Sequence, residues 1–360
     1  MQNVLVTGGA GFIGSNFVRY LLAAEPQVEI VNLDALTYAG SLENLKDLPD
    51  PDRHKFIHGE IGDRSRIDQI LRDHAIDTVV HFAAETHVDR SILGPAQFVD
   101  TNIVGTFILL EATRHYWLDG SALSSEVRFH HISTDEVFGS LGSNDPSFSE
   151  NTPYAPNSPY AASKAASDHL VRSYGHTYGL PFSITNCSNN YGPYQYPEKL
   201  IPLMISNALK GLPLPIYGDG KQVRDWLYVE DHCQAIREVI KTGIPGETYI
   251  VGGNTQPTNL LVVTTLCEIL DECLPNSAYL PHESLVTYVT DRPGHDRRYA
   301  MDISKISTDL GWTPRQSLAE GLLKTVEWYL EHQDWVDVIG NKDDYQDWLN
   351  RNYLTRGGEK

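Results

Sequence analysis

The sequence predicts an α/β chain, a doubly wound parallel sheet carrying a smaller, mixed α/β lobe. Three observations predict it. Short β-branched apolar runs alternate with longer stretches of helical spacing through the first half. A glycine-rich turn joins the first such run to the first helical stretch. After Asn190 the texture changes to Gly/Pro-rich segments separated by further helical patterns. With 360 residues, 41% of them hydrophobic, the chain is long enough for two units or one large unit with a lobe.

The elements follow in order. Strands are expected over 4–7, 28–33, 55–58, 78–82, 127–132 and 182–185, each a short apolar run bounded by polar or turn residues. Between them, helices are expected near 12–24, 65–74, 95–116 and 158–179; Asp63 or Ser65 starts the second, and Ser158 followed by Pro159 starts the fourth. In the later texture, helical patterns lie near 198–210, 230–242, 259–273 and 317–332, and the stretch containing Trp335 and Trp348 reads as a peripheral helix and tail. No internal repeat or low-complexity segment interrupts this order.

Composition excludes several function classes. There are 28 Lys+Arg against 47 Asp+Glu, a net charge of −19, which argues against nucleic acid or an anionic membrane as partner, since both are recognised by clustered cations. The sequence lacks the run of about 20 apolar residues that a membrane helix needs, and its start lacks the features of a secretion signal, so a cytoplasmic protein is expected. Cys187, Cys233, Cys267 and Cys273 include no CxxC pair and the histidines no HExxH, so reduced thiols and no metal site are expected.

The glycine turn, Thr7-Gly8-Gly9-Ala10-Gly11-Phe12-Ile13-Gly14, fits both GxGxxG and GxxGxxG between strand and helix. Glycines there allow the tight turn, the approach of backbone N–H groups to a pyrophosphate, and close helix–strand packing. Asp34 ends the second strand, where a carboxylate accepts hydrogen bonds from a ribose 2′-hydroxyl and repels a 2′-phosphate; with no arginine following, NAD is favoured over NADP. A P-loop is absent, because Gly218-Asp-Gly-Lys221-Gln222 has neither its spacing nor its Ser/Thr. The expected division is therefore an NAD-binding Rossmann-like domain over 1–189 plus about 223–252, a smaller, loop-rich lobe over about 190–222 plus 253–340, and a C-terminal helix or tail over 341–360.

Tyr160 and Lys164 stand four apart on one face of an expected helix. A neighbouring ammonium is expected to lower the phenol's pKa, allowing Tyr160 to take a hydroxyl proton while hydride leaves for NAD. Together with the glycine turn, these residues resemble the extended short-chain dehydrogenase/reductases, whose Ser/Thr after the fifth strand falls in Ser133-Thr134-Asp135-Glu136. Sugar epimerases of that family carry no acid pair there. Oxidising a sugar's C4 hydroxyl to a ketone acidifies the C5 proton, so a base beside C5 and an acid beside the C6 hydroxyl together eliminate water.

The resemblance narrows to the dTDP-glucose 4,6-dehydratase family of deoxysugar and rhamnose biosynthesis. It is carried by Thr134-Asp135-Glu136 with Tyr160 and Lys164, by the runs at 33–40, 83–91, 188–200 and 214–220, by Val223-Arg224-Asp225-Trp226, and by Asp291-Arg292-Pro-Gly-His295-Asp296. It implies Asp135 as acid toward the C6 hydroxyl, Glu136 as base at C5, Tyr160 as base at the C4 hydroxyl, Thr134 as a substrate hydrogen-bond partner, and Lys164 tuning Tyr160 and holding the nicotinamide ribose. It implies cofactor contacts from Gly8, Gly11, Phe12, Ile13, Gly14, Asp34, Leu36, Thr37, Glu60, Ile61, Ala83, Ala84, Glu85, Thr101 and Asn190. Substrate contacts are implied for Thr86, Asn189, Lys199, Leu200, Pro215, Tyr217, Arg224, Asn259, Arg292 and His295. A homodimer is likewise implied, through a four-helix bundle of the helices near 95–116 and 158–179.

Ala35, Glu60 and Thr86 depart from the family pattern at Lys, Asp and Ser positions, and Asn186 stands where an arginine is frequent. Competing readings use parts of the same set. A 4-epimerase or decarboxylating dehydrogenase needs Tyr160 but not Glu136; a simple dehydrogenase would release NADH; a non-enzymatic NAD sensor would need neither the acid pair nor Lys164.

Overall fold

A computed structural model describes residues 1–120, 126–291 and 295–340. Its strands are β1 (Asn3–Thr7), β2 (Glu29–Asp34), β3 (His54–His58), β4 (Thr78–His81), β5 (Arg128–Thr134), β6 (Phe182–Cys187), β7 (Asn189–Tyr191), β8 (Leu214–Tyr217), β9 (Trp226–Tyr228), β10 (Thr248–Val251) and β11 (Val286–Val289). Seven of them form one sheet in the order β10-β6-β5-β4-β1-β2-β3, with every neighbouring pair parallel. The chain reverses its direction of travel across the sheet between β3 and β4, and a crevice opens there at the carboxyl ends of the strands.

A parallel sheet must be covered on both faces, because its crossovers place helices there. The helices are α1 (Phe12–Ala24), α2 (Arg64–Asp73), α3 (Val88–Leu93), α4 (Pro95–Phe98), α5 (Thr106–Arg114), α6 (Pro159–Tyr178), α7 (Leu200–Leu209), α8 (Val229–Thr242), α9 (Asn259–Cys273), α10 (Ser304–Leu310), α11 (Leu318–Glu331) and α12 (Gln333–Gly340). One face of the sheet packs Ile67 and Leu71 of α2, Leu109 and Leu110 of α5 and Val171 of α6. The other packs Phe17 and Leu21 of α1 with Cys233 and Ile236 of α8. Two starts match their sequence signals: Asp63 accepts from the Arg66 N–H and Ser158 from the Ala161 N–H, with Pro159 in the first turn.

A further core joins α7, α9, α11 and α12 through Met204, Ile205, Val262, Leu266, Leu322, Val326, Tyr329, Val336 and Ile339. Beside it lie two small parallel pairs, β8 with β11 and β7 with β9. The helix expected near 95–116 is divided. Between α4 and α5 the backbone is π-helical over Val99–Gly105, and it is π-helical again over His115–Asp119. Helix α3 was absent from the sequence expectation.

The expected peripheral character of the Trp335 stretch is corrected. Trp335 is buried, packs on Tyr194, Trp328 and Tyr329, and donates its indole N–H to Asn44 Oδ1 at 2.8 Å. Three aromatic partners and a buried acceptor outweigh the acidic composition around it. Trp348 and the tail over 341–360 lie outside the described residues. Among the described residues, no helix is long and apolar enough to cross a membrane.

Candidate active site

The crevice is a cleft of about 750 Å³ running from the glycine turn to the end of β5. At one end, Gly8 adopts φ +73°, and a Cβ on it would stand 2.6 Å from the Ala83 nitrogen. A Cβ on Gly14 would stand 2.2 Å from the Gly8 carbonyl oxygen. Both turns therefore require glycine. Gly11 caps α1 without a side chain, so the first N–H groups of the helix are left to a ligand, the arrangement that binds phosphate.

Asp34 is fixed by two backbone donors: Ala10 N–H to Oδ2 and Leu36 N–H to Oδ1, each 2.8 Å. Burial pushes its carboxyl up, while these two bonds oppose the shift. The opposite wall is close-packed. A Cβ on Gly105 would stand 2.7 Å from Ile61 Cδ1, so the π-helical turn lies directly against Ile61. That turn sends Asp100, Thr101 and Val104 to the cleft, while Asn102 turns inward. Asn102 accepts from the Glu85 N–H (2.8 Å) and donates to the Glu85 carbonyl (3.0 Å) and to Ser163 Oγ (2.8 Å), tying this wall to α6. The residues present fit a dinucleotide: an uncapped helix start, a carboxylate held by the backbone, and an apolar wall of Ile61 packed on the π-helical turn.

At the other end, Thr134 closes β5 and caps a short 3₁₀ turn over Asp135–Phe138, its Oγ1 accepting from the Glu136 N–H at 3.3 Å. This cap makes the chain turn so that Thr134, Asp135 and Glu136 all line the cleft. Asp135 is buried. Its Oδ1 accepts from Thr134 Oγ1 at 3.2 Å, and its Oδ2 has no protein hydrogen bond. Burial, then the neighbouring Glu136, raises its carboxyl well above the usual range, so it is held as the neutral acid. Glu136 is half-buried.

Tyr160 and Lys164 face this acid pair from α6. Tyr160 hydrogen-bonds to Thr134. The expectation that Lys164 lowers its pKa is corrected: burial, then Glu136, pushes the phenol well up. Lys164 donates to the Ile132 carbonyl, 2.7 Å away, and burial lowers it to about 8.

Most residues singled out from the sequence meet in this cleft: Gly8, Gly11, Phe12, Ile13, Gly14, Asp34, Thr37, Glu60, Ile61, Ala83, Ala84, Glu85, Thr86, Thr101, Thr134, Asp135, Glu136, Tyr160, Lys164, Asn189, Asn190 and Lys199. Leu36 takes part through its backbone alone. Leu200, Pro215, Tyr217, Arg224, Asn259 and His295 do not line it. Arg224 is buried, bonded to the carbonyls of Val223 and Asp296 (2.8 Å each), with its guanidinium 4.2 Å from the Tyr299 ring centre. Tyr217, Asn259 and His295 gather in the lobe: His295 reaches Asp291 at 2.6 Å and sets its ring edge-on to Tyr217, and Gln222 bonds both Asp291 and the Asn259 backbone. Asn259 Oδ1 is buried there without a protein hydrogen bond. Arg292 lies outside the described residues. The cleft also takes in Gln97, Cys187, Gln195 and Glu198, which no sequence motif singled out one by one.

Residues 5–325 match the profile of the family described as GDP-mannose 4,6 dehydratase. The chain is 54% identical over 367 residues to the dTDP-glucose 4,6-dehydratase of Shigella flexneri, covering 99% of this chain and 100% of that one. It is 58% identical over 340 residues to the enzyme of the same name from Xanthomonas campestris pv. campestris, covering 94% and 96%. Its fold is similar to the crystal structure of dTDP-glucose 4,6-dehydratase from Bacillus anthracis in complex with NAD, with a TM-score of 0.82 and 44% identity over 94% of this chain and 100% of that one. A match through both the sheet and the lobe, together with the glycine turn and the Tyr160–Lys164 pair, places the chain in the GDP-mannose 4,6 dehydratase family of extended short-chain dehydrogenase/reductases.

Proposed function

We propose that this chain is an NAD-dependent dTDP-glucose 4,6-dehydratase, a hydro-lyase. It oxidises C4, eliminates water across C5 and C6, and reduces C6 to give dTDP-4-keto-6-deoxyglucose with no net NADH. The observation that carries the reading is the buried Asp135, its Oδ2 without a protein hydrogen bond, next to Glu136 at the strand end facing Tyr160. Net oxidation alone needs no such acid.

The glycine turn and the α1 N-terminus hold the pyrophosphate of NAD, Asp34 a ribose, and Ile61 with the π-helical turn the adenine. When bound, NAD supplies a hydride acceptor and a positive charge in the cleft. Tyr160 takes the C4 hydroxyl proton; burial and Glu136 raise its pKa in the protein alone, and the positive charges of Lys164 and of the bound cofactor favour its base form. Glu136 removes the C5 proton once C4 is a ketone, Asp135 gives its proton to the departing C6 hydroxyl, and Glu136 returns its proton to C5 as C6 is reduced. Thr134, bonded to Tyr160, steers a substrate hydroxyl. Thr86, Asn189 and Lys199 take the sugar side of the cleft, and the lobe's Asn259, Tyr217 and His295 take the nucleotide.

The protein works as a homodimer in the cytoplasm. The first part is supported by exposed apolar side chains, Val99, Phe107, Leu118 and Tyr178, along the helices near 95–119 and on α6. The second is supported by its four free cysteines. Incubating purified protein with dTDP-glucose and catalytic NAD tests the activity: a product lighter by one water, without NADH accumulation, is expected. An unchanged mass with a galacto-configured product would make the chain an epimerase instead.

A further inference from the structure

Helix α6 carries a ladder at four-residue spacing on one face: Tyr160, Lys164, Asp168 and Arg172. The first two face the cleft, whereas Asp168 is fully buried beneath it. Its Oδ2 accepts from Ser133 Oγ at 2.8 Å, Tyr154 OH at 2.7 Å and Asn186 Nδ2 at 3.2 Å, and its Oδ1 lies 3.2 Å from His131 Nε2. Three donors on one carboxylate oxygen, from β5, the loop before α6, and β6, make this a built anion site.

These partners are not scattered through the core. Ser133 directly precedes Thr134, and Asn186 Nδ2 also reaches the Thr134 carbonyl at 3.2 Å. Asp168 thus holds two groups that flank the residue from which Asp135 and Glu136 turn into the cleft. Arg172 braces the same network by donating to Tyr154 OH at 2.9 Å and Thr248 Oγ1 at 3.1 Å. The arrangement also explains Asn186: an amide bridges a carboxylate and a backbone carbonyl at once.

We propose that Asp168 is a positioning residue for the reaction: its buried carboxylate locks the strand end bearing Thr134, Asp135 and Glu136 to the helix face bearing Tyr160 and Lys164, and sets a negative charge one helical turn from the Lys164 side chain.

The groups around Lys164 agree with the second role. His81 faces it from β4, His131 from β5 and Cys187 from β6. Burial keeps His81 neutral, lowers His131 to about 4 and pushes the Cys187 thiol up to about 12. Arg172 adds a positive charge near His131 and Tyr154. The negative charge that supports Lys164 is therefore that of Asp168, which burial pushes up but which the neighbouring His131, Lys164 and the Tyr154 hydroxyl hold low.

The inference rests on the dehydratase reading, and its test separates the two. Asp168→Asn keeps the shape and removes the charge. In cofactor-free protein labelled at lysine ¹³Cε, with the Lys164 signal assigned through Lys164→Met, the titration of Lys164 is expected to move about one pH unit or more toward acid. In turnover on dTDP-glucose, kcat is expected to fall with KM little changed, and its alkaline limb to move in the same direction. An unmoved Lys164 titration overturns the counter-charge role whatever the activity. Should Asp168→Asn not fold, Tyr154→Phe keeps the carboxylate and removes one tie; kcat several-fold lower at every pH, with Lys164 titrating as before, is expected, and an unchanged kcat overturns the positioning role. A wild-type protein inactive on dTDP-glucose refutes the dehydratase reading instead, and leaves the titration test standing.

Discussion

Replacing Lys164 by methionine tests the electrostatics of the site through stability as well as rate. The ammonium ordinarily titrates at 10.5 and is lowered by burial to about 8. At 1.36 kcal/mol per pH unit, the charged form in the fold is disfavoured by about 3 kcal/mol relative to the unfolded chain. The sign follows from linkage. Between pH 8 and 10.5 the unfolded chain holds a proton that the folded chain has lost, so stability rises with pH across that window; the deficit is complete below about 8 and gone above 10.5. Lys164→Met removes this titration, and leaves the Ile132 carbonyl without its 2.7 Å donor, a roughly pH-independent cost of about 1–3 kcal/mol. The stability of wild type minus variant should therefore climb by about 3 kcal/mol from pH 7 to 10.5, other titrations cancelling in the difference. Urea unfolding followed by tryptophan fluorescence at several pH values measures it. A flat or falling difference would refute the account of a desolvated, charged Lys164. The same variant should lose turnover on dTDP-glucose.

Three other outcomes follow from the geometry. Asp135→Asn, isosteric but without an acidic proton, should slow water elimination by about 10²- to 10⁴-fold while NAD binding, followed by fluorescence titration, is retained; because the wild-type carboxyl is held neutral against its tendency to ionise, the variant should also be more stable at pH 7. Gly14→Ala puts a Cβ 2.2 Å from the Gly8 oxygen, so calorimetry should show a loss of about 1–3 kcal/mol and NAD affinity should fall at least as steeply as stability. Trp335→Phe leaves Asn44 Oδ1 without its 2.8 Å donor, and thermal unfolding should report a loss of about 1–3 kcal/mol with unchanged kcat.

What the sequence disclosed was whatever a local pattern must spell out. The glycine turn needs residues without a Cβ at Gly8 and Gly14, and the six strands β1 to β6 need apolar runs because the sheet is buried on both faces. Strands of three or four residues, such as β7 to β11, are fixed by pairing with distant partners, and Thr248–Val251 is too short to differ from a fragment of buried helix. The direction of the Tyr160 shift was likewise unreadable. Spacing shows that Lys164 is near; it does not show that the Ile132 carbonyl takes the ammonium or that Glu136 faces the phenol. Trp335 looked peripheral because its acceptor, Asn44, is 291 residues away in the chain.

The π-helical turn over Val99–Gly105 takes up about one residue more than an α-helix would over the same arc, and leaves the following helix in phase with the preceding one. Each residue advances an α-helix by about 100°. Deleting one residue between 99 and 105 would let the backbone relax to α-helix while Leu109, Leu110 and Ala112 stay on the sheet and Thr106 stays on His81, to which it is bonded at 2.9 Å. A one-codon deletion there would spare the core beneath the cleft wall and remove the widened turn that sends Asp100, Thr101 and Val104 to the cleft, so its cost is expected in cofactor binding more than in stability.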